Sequence, residues 1–237
     1  MQNSMQNKLS DPFQSIHIVI PVSADETLWR DLLNDLVSLP RGSKVSLVGA
    51  QNISIEEIMK VNESGLFDVM CWATENSFAE ALNQAAFSSQ SDFLWFLHAD
   101  SKLPKSTLAK VKLALEKNPD AIYYCQLQFL DDGPRFMFIN SLAVQLRSQL
   151  LNLSFGHQGL AMSRRTFERV GGFSETVQSD VVLDFLIRAK SKKIALREVP
   201  SPIYTSARYY KKNGWLKASL ERFAQETSRT LTSYISL

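Results

Sequence analysis

The chain has 237 residues, of which 45% are hydrophobic and 21% are charged, and its formal net charge is +2. This composition is typical of a soluble globular protein with a sizeable core, and the near-neutral charge excludes the strong basic field of a nucleic-acid-binding protein. No apolar signal-peptide core and no run of roughly 18 apolar residues is found, so we expect a cytoplasmic protein.

Strands and helices are predicted to alternate over the first hundred residues. Residues 1–14 are polar and are expected to form a disordered tail. Apolar runs rich in β-branched and aromatic residues predict strands at 15–22, 44–50, 66–73 and 92–97. Helical patterns separate these runs, which predicts a mostly parallel, doubly wound α/β sheet with helices on both faces. Ligands of such sheets bind beyond the carboxyl ends of the strands.

Two of the predicted helices carry capping boxes at their start. Ser54 with Glu57, and Ser77 with Glu80, have the required three-residue spacing. The first of these helices is expected to place Ile55, Ile58 and Met59 on one apolar side. Pro40–Gly42 is expected to stop the earlier helix that follows the first strand.

In the second half of the chain, the predicted strands and helices alternate less regularly. A helix is predicted after Pro104, followed by a half-solvated strand at 121–130 and an apolar helix at 135–151. A short strand, two helices and a late strand follow, and the last residues, 214–237, are amphipathic. We expect one domain at 15–213, with a nucleotide-binding half at 15–100 and an acceptor half at 101–213. The C-terminal helix could pack on the core, pair with a second subunit or touch a membrane peripherally.

Two cysteines, Cys71 and Cys125, each lie inside an apolar run. We expect both to be small buried hydrophobic residues in a reducing compartment, because neither has the spacing of a disulfide framework or a metal site.

Asp100 is a candidate metal ligand. It follows the apolar strand "DFLWFL" directly, at the edge of the sheet where a ligand is expected. A carboxylate there could bind a divalent cation that neutralises a diphosphate. The other interpretation is a turn or cap ahead of the helix that begins at "LPKS".

Three further polar groups have two interpretations each. His157, between two glycines in "GHQG", could be a metal ligand or a structural histidine. Asp180 could be a general base or the N-cap of the helix that follows it. Arg208, with the lysines of "YYKK", could bind phosphate or belong to a solvated loop.

The order of the pieces "FLHAD", "GHQG…RRTFERVGGF" and "TSAR" resembles the family 2 glycosyltransferases. The similarity extends over about 15–220 and is greatest to a small bacterial subgroup of the arsenosugar-biosynthesis type. It implies a glycosyltransferase-A (GT-A) fold, a nucleotide-diphosphate sugar donor, an unknown acceptor hydroxyl, and Mg²⁺ or Mn²⁺.

The resemblance also implies roles for individual residues. Asp100 matches the metal-binding end of the family's D-x-D-like motif, with His98 or His157 as further ligands, and Asp180 matches the catalytic base. Positions matched to donor binding are Pro21, Gly49, Asn83, Asp100 and Arg208.

Several donor-binding positions depart from the family pattern. Gly49 stands where an aspartate normally holds the nucleotide base, and Asn83 remains in a segment that has lost its arginine and glycines. The Asn-Glu expected after Pro21 is absent, although Asp25 or Glu26 could stand in. His157 replaces the aspartate of "GDQG", and Ser179 replaces the glutamate before Asp180.

Two functions follow from this pattern. The first is a divergent, metal-dependent, inverting glycosyltransferase. The second is a catalytically inactive protein that keeps the fold as a binding or scaffolding module, since fold and site are separable. A nucleotidyltransferase is disfavoured because no glycine-rich phosphate loop follows the first strand.

Overall fold

One sheet of eight strands runs through the part of the chain that the structure describes. The computed structural model describes residues 16–39, 43–49, 53–74, 77–142, 158–177 and 180–219. The strands lie in the order β3-β2-β1-β4-β7-β6-β8-β5. They are β1 (Ile16–Pro21), β2 (Ser43–Val48), β3 (Phe67–Trp72), β4 (Phe93–Phe96), β5 (Ser101–Lys102), β6 (Ile122–Phe129), β7 (Leu160–Ser163) and β8 (Leu196–Thr205).

The helices connect these strands in chain order. They are α1 (Trp29–Asp35), continued by a 3-10 turn at Leu36–Ser38, α2 (Ile55–Glu63), α3 (Phe78–Phe87), α4 (Lys105–Lys117), α6 (Arg164–Val170), α7 (Val181–Ser191) and α8 (Arg208–Asn213). Two further helices are described in part, namely α5 at 137–142 and α9 at 215–219. None of the helices described is both long and apolar enough to cross a bilayer.

The sheet is mostly parallel, as the sequence predicts. β1 pairs in parallel with β2 on one side and with β4 on the other, and β6 pairs in parallel with β8. β7 is antiparallel to β4 and to β6, and β5 is antiparallel to β8. The chain moves outward from β1 to β3 and then returns to β4 on the far side of β1. The switch point for ligands therefore lies between the carboxyl ends of β1 and β4.

Two apolar cores lie on the two faces of the sheet. On one face, alternate residues of β1 such as Ile16, Ile18 and Ile20 pack with α1 and α4. On the other face, Val19 of β1 and Phe96 of β4 pack with α3, α6 and α7. Because each central strand is covered on both faces, its sequence is mainly apolar, although polar residues such as His17 and Ser46 are also buried there. The predicted doubly wound sheet is confirmed.

The expectation that both cysteines are buried is wrong. Cys125 is buried, but Cys71 is exposed, because it lies on β3 at the edge of the sheet. The predicted apolar side of α2 is largely outside the core: Ile55 is 79% exposed and Met59 54% exposed. Only Ile58 of that predicted side packs against the core.

Other differences concern element boundaries. The turn considered at Asp100 is present, and the short strand β5 follows it before α4. Residues 208–213, for which a solvated loop was one interpretation, form α8. The 1–14 tail, the stop at Pro40–Gly42 and the remainder of the 214–237 helix lie outside the described residues. The division into halves at residue 100 stays a prediction.

Candidate functional site

Asp100 lies at the carboxyl end of β4, between two polar side chains. The Thr205 hydroxyl donates to Asp100 Oδ2 at 2.8 Å, and His98 Nδ1 lies 3.1 Å from Asp100 Oδ1. The Asp100 side chain is 14% exposed and that of His98 39% exposed. The two carboxylate oxygens are therefore fixed in orientation, and the carboxylate remains partly exposed.

The backbone explains how these residues meet. The Ser101 N–H donates to the His98 carbonyl at 3.0 Å, which closes a turn around Asp100. Ser101 then pairs with Thr205 in the antiparallel β5–β8 ladder. The short strand β5 thus brings the end of β8 to the end of β4.

The segment after β8 is held by Asp132. Asp132 Oδ2 accepts from the Ser206 hydroxyl at 2.6 Å, and Oδ1 accepts from the Ala207 N–H at 2.7 Å. The neighbouring Gly133 is needed for close approach, because a Cβ there would lie 2.4 Å from the Ala207 Cβ. This double contact fixes the backbone from which Arg208 projects.

Arg208 reaches the switch point and forms an ion pair with Glu26, in the loop after β1. Glu26 is itself anchored, since its Oε1 accepts from the N–H groups of Thr27 and Leu28, each at 2.8 Å. The Glu26 side chain is 9% exposed, whereas that of Arg208 is 50% exposed. The guanidinium therefore stands at the carboxyl edge beside a fixed carboxylate.

The donor atoms at Asp100 are fewer than the ligands that a divalent cation takes. No cluster of three or more His, Cys, Asp or Glu residues occurs within the residues that the structure describes. Asp100, with His98 beside it, offers one carboxylate and one imidazole. Mg²⁺ and Mn²⁺ accept such sparse protein ligation when phosphate oxygens and water complete the shell. His157, the other predicted ligand, lies outside the described residues.

Gly49, predicted to contact the donor, is crowded by the end of β1. Its φ is +87°, and a Cβ there would lie 2.8 Å from the Val22 carbonyl oxygen. Pro21 lies next to this point, opposite Val48 in the β1–β2 register. The backbone at Gly49 thus has no room for the aspartate that this position has in the family pattern.

Asn83 connects α3 to the loop after α6. Its Oδ1 accepts from the Phe173 N–H at 2.8 Å, and its Nδ2 donates to the Phe173 carbonyl at 2.9 Å. Nδ2 also lies 3.3 Å from Glu175 Oε1. The contacts of Asn83 are therefore those of a structural amide that pairs with a peptide group.

Asp180 caps α7. Its Oδ1 accepts from the Leu183 N–H at 3.0 Å. α7 ends shortly before β8, which starts at the amino edge of the sheet, where the Ile122 N–H donates to the Ala195 carbonyl at 2.9 Å. The opposite end of α7, with Asp180, is therefore directed toward the carboxyl edge that holds Asp100. The cap is observed, and the role as a base stays a prediction.

Two contributors to the site were missed by sequence reasoning. Thr205 lies 105 residues from Asp100, and Asp132 lies 75 residues from Ala207. "TSAR" and "DDGP" stand out in the sequence as short polar segments, but no local periodicity pairs them.

The comparisons agree with this architecture. Residues 55–171 match the family model described as "Glycosyl transferase family 2". No curated protein sequence matches the chain. Similar solved structures include the mannosyltransferase PcManGT from Pyrobaculum calidifontis in complex with GDP-Man and Mn²⁺. Its TM-score is 0.62 at 19% identity, over 80% of this chain and 56% of that chain.

Two further structures are similar. S. aureus TarS 1-349 in complex with UDP-GlcNAc has a TM-score of 0.59 at 16% identity, over 81% of this chain and 58% of that one. GalNAc-T7 with UDP, GalNAc and Mn²⁺ has a TM-score of 0.59 at 10% identity, over 81% of this chain and 43% of that one. The chain thus spans less than two thirds of each of these proteins. The similarity establishes the GT-A fold, and together with the family match it supports a family 2 glycosyltransferase.

Proposed function

We propose that the protein is a family 2 glycosyltransferase that moves a sugar from a nucleotide-diphosphate donor to an acceptor hydroxyl, with inversion and with a divalent cation. The observation that carries the proposal is Asp100, held between His98 and Thr205 at the carboxyl end of β4. It lies at the switch point of a GT-A sheet, near the ion pair of Arg208 with Glu26.

The proposed reaction is a single displacement. The acceptor oxygen forms a bond to the anomeric carbon while the bond from that carbon to the diphosphate oxygen breaks. Asp180 takes the proton of the acceptor hydroxyl, and the nucleoside diphosphate leaves. A cation held by Asp100 and His98 would supply positive charge to the leaving group. Arg208 would add a second positive charge at the diphosphate if its guanidinium exchanged Glu26 for a phosphate oxygen.

The donor side of the site favours an unusual nucleotide contact. Gly49 carries no carboxylate for the base, and the family's charge-assisted hydrogen bond at that position is worth about 1.5–3 kcal/mol. The same observation supports the second candidate, an inactive GT-A protein that binds a ligand without transfer. Nucleotide release from a panel of UDP- and GDP-sugars separates the two, because a binding module releases none. The subgroup, the donor sugar, the cytoplasmic location and peripheral membrane contact stay predictions.

Nucleotide binding should depend on the cation and on Asp100. UDP or GDP with MnCl₂ or MgCl₂ at about 100 times Kd is expected to stabilise the fold by about 2.7 kcal/mol. For a chain of this size that is a rise in Tm on the order of 5–10 °C, measured by thermal shift. Asp100→Asn should remove the cation-dependent part of the rise.

The matched control is Asp120→Asn, at the amino edge of the sheet, whose carboxylate has only a loose pairing with Arg169 at 3.8 Å. It should keep the full rise. An Asp100→Asn protein that keeps the full cation-dependent rise would remove Asp100 from the metal role.

A further inference from the structure

Thr205, the last residue of β8, contacts the carboxylate of the candidate site. Its hydroxyl donates to Asp100 Oδ2 at 2.8 Å, across 105 residues of sequence. Thr205 is 4% exposed, whereas the Asp100 side chain is 14% exposed. A buried hydroxyl thus holds a carboxylate that is itself partly open to solvent.

The backbone of Thr205 is fixed on both sides of its strand. β8 lies between β6 and β5 in the sheet, and Thr205 is the register partner of Phe129 on one side and of Ser101 on the other. The Leu130 N–H donates to the Thr205 carbonyl at 2.9 Å. A β-branched side chain on such a strand also has few χ1 rotamers open to it. The position of the hydroxyl is therefore set by the sheet and not by its contact with Asp100.

The hydroxyl nearest in sequence does not make this contact. Ser101 follows Asp100 directly and lies opposite Thr205 in the β5–β8 ladder, so the two side chains extend from the same face. Ser101 is 3% exposed, yet its Oγ has no hydrogen-bond partner among the residues that the structure describes. The carboxylate therefore takes its hydroxyl contact from the distant Thr205 rather than from the residue beside it.

The two carboxylate oxygens of Asp100 have different surroundings. Oδ2 accepts from the buried Thr205, whereas Oδ1 lies 3.1 Å from Nδ1 of His98, whose side chain is 39% exposed. Oδ1 is therefore the oxygen on the more exposed side. A cation that binds both Asp100 and His98 would meet this oxygen first.

A lone carboxylate binds a cation better when it cannot rotate. The χ2 angle of aspartate has a broad distribution, so an unheld carboxylate turns either oxygen, or neither, toward the cation. Asp100 and His98 offer one carboxylate and one imidazole, and the orientation of that carboxylate therefore matters more than in a site with many ligands. Hydrogen-bond partners of metal ligands are typically worth about 10–100-fold in metal affinity.

We propose that Thr205 is a positioning residue for the divalent cation. Its hydroxyl holds Asp100 Oδ2, which orients Oδ1 and His98 for the cation. In this role Thr205 acts through Asp100 and is not itself a ligand. The inference rests on the proposed function, because it needs a cation at Asp100.

Thr205→Val tests the role, since valine has nearly the same shape as threonine but no hydroxyl. MnCl₂ is titrated at a fixed concentration of UDP or GDP, whichever gives the larger thermal shift with the parent protein. The measured quantity is the MnCl₂ concentration that gives half of the cation-dependent shift. Thr205→Val should raise this concentration about tenfold or more. The nucleotide-dependent shift in EDTA should stay unchanged, because it does not involve the cation.

Thr205→Ser is the rescue variant. It keeps the hydroxyl, so its half-saturating MnCl₂ concentration should stay close to that of the parent protein.

Thr107→Val is the matched control. Thr107 is fully buried, and its hydroxyl lies 2.9 Å from that of Ser201, which is also on β8 but at a distance from Asp100 along the strand. This variant loses a buried hydroxyl contact to the same strand. Its Tm without ligand should fall, whereas its half-saturating MnCl₂ concentration should equal that of the parent protein.

Three results would overturn the positioning role and leave the transferase proposal standing. They are an unchanged half-saturating MnCl₂ concentration in Thr205→Val, an equal increase in Thr107→Val, and an increase in Thr205→Ser as large as that in Thr205→Val. A parent protein without any cation-dependent shift would overturn both proposals, since it would have no cation to position.

Discussion

His17 connects folding stability to pH at the scale of one residue. It is fully buried in β1, with Nε2 2.9 Å from the Ser46 hydroxyl and Nδ1 2.9 Å from the Ser89 hydroxyl. Burial, followed by the charges of Arg164 and Lys44, lowers its pKa from 6.5 to about 4. The native state therefore holds a neutral imidazole that both hydroxyls contact.

Acid should destabilise the fold through His17. The pKa is lower in the folded state than in the unfolded state, so this contribution is fully present above pH 6.5 and is lost progressively as the pH falls toward about 4. The full loss is about 3 kcal/mol. Urea unfolding between pH 7 and 4 measures it as the slope of unfolding free energy against pH.

The matched variant is His17→Gln, which keeps a donor and an acceptor but does not titrate. Its slope over that range should be flatter than that of the parent, whatever its absolute stability. An unchanged slope would assign the acid sensitivity to other groups.

The stability cost of replacing Gly49 tests whether the backbone there is as crowded as the structure indicates. Gly49→Ala should cost about 2–4 kcal/mol, since it combines a left-handed backbone with overpacking against the Val22 carbonyl. Gly65→Ala is the control, because Gly65 has φ +64° but nothing within 4 Å of the added Cβ. It should cost about 1–2 kcal/mol. Urea unfolding of both variants gives the difference, and equal losses would exclude the close approach as its cause.

At the scale of elements, helix starts follow local sequence closely. Ser54 and Ser77 each accept from the backbone N–H three residues on, as their capping boxes predict. The reciprocal contact fails in α2, where the carboxylate of Glu57 pairs with Arg30 instead. The first half of a capping box is fixed by three neighbouring residues, whereas the partner of an exposed carboxylate depends on which helix packs beside it.

Asp180 has two roles that substitution can separate. Asparagine caps a helix about as well as aspartate, so Asp180→Asn should keep the stability of α7. Turnover should fall about 10²–10⁴-fold in that variant because the base is lost. Asp180→Ala should show the same loss of turnover and cost about 1 kcal/mol in addition. Nucleotide release assays and urea unfolding measure the two effects.

Ser163→Ala is the control for the cap. Ser163 caps α6 at the amino edge of the sheet, away from the site, and accepts from the Thr166 N–H at 3.1 Å. It should lose stability while keeping turnover. Normal turnover in Asp180→Asn would mean that Asp180 acts as the N-cap of α7 and not as the base.

At the scale of the whole molecule, contacts distant in sequence connect the α3–β4 region to the second part of the chain. Asn83 contacts Phe173 across 90 residues. Arg164 donates to the Ala86 carbonyl at 3.0 Å and to the Ser91 carbonyl at 2.8 Å. Both contacts join the α3–β4 region to the elements around α6, on the face that also carries Phe96 and Phe167, whose rings lie 5.4 Å apart.

Asn83→Ala distinguishes a structural amide from a donor ligand. Loss of its two contacts to the Phe173 backbone should cost about 1–3 kcal/mol in urea unfolding. The nucleotide thermal shift should be unchanged. Gln84→Ala is the control, since Gln84 is the next residue on α3 and its amide bonds only within the helix, to Glu80 at 3.1 Å. If the nucleotide-dependent rise in Tm were smaller in Asn83→Ala but not in Gln84→Ala, Asn83 would be a donor-binding residue.

The sequence by itself determined the alternating strands and helices, the doubly wound class and the position of Asp100 at a strand end. These follow from local patterns, because side-chain period and capping depend on residues a few positions apart. Local patterns could not predict which apolar residues are exposed on an edge strand of the sheet. Cys71 lies in an apolar run like that of Cys125, and only its place on the edge strand leaves it exposed.

Only the tertiary structure decided what surrounds Asp100. Thr205 reaches it across 105 residues, and Arg208 reaches Glu26 across 182 residues. The two-residue strand β5 likewise pairs with the end of β8 and places Ser101 opposite Thr205. These neighbours are set by strand order, by strand length and by the return of the chain across the switch point. Local hydrophobic patterns carry no information about any of the three, since every strand order would preserve them.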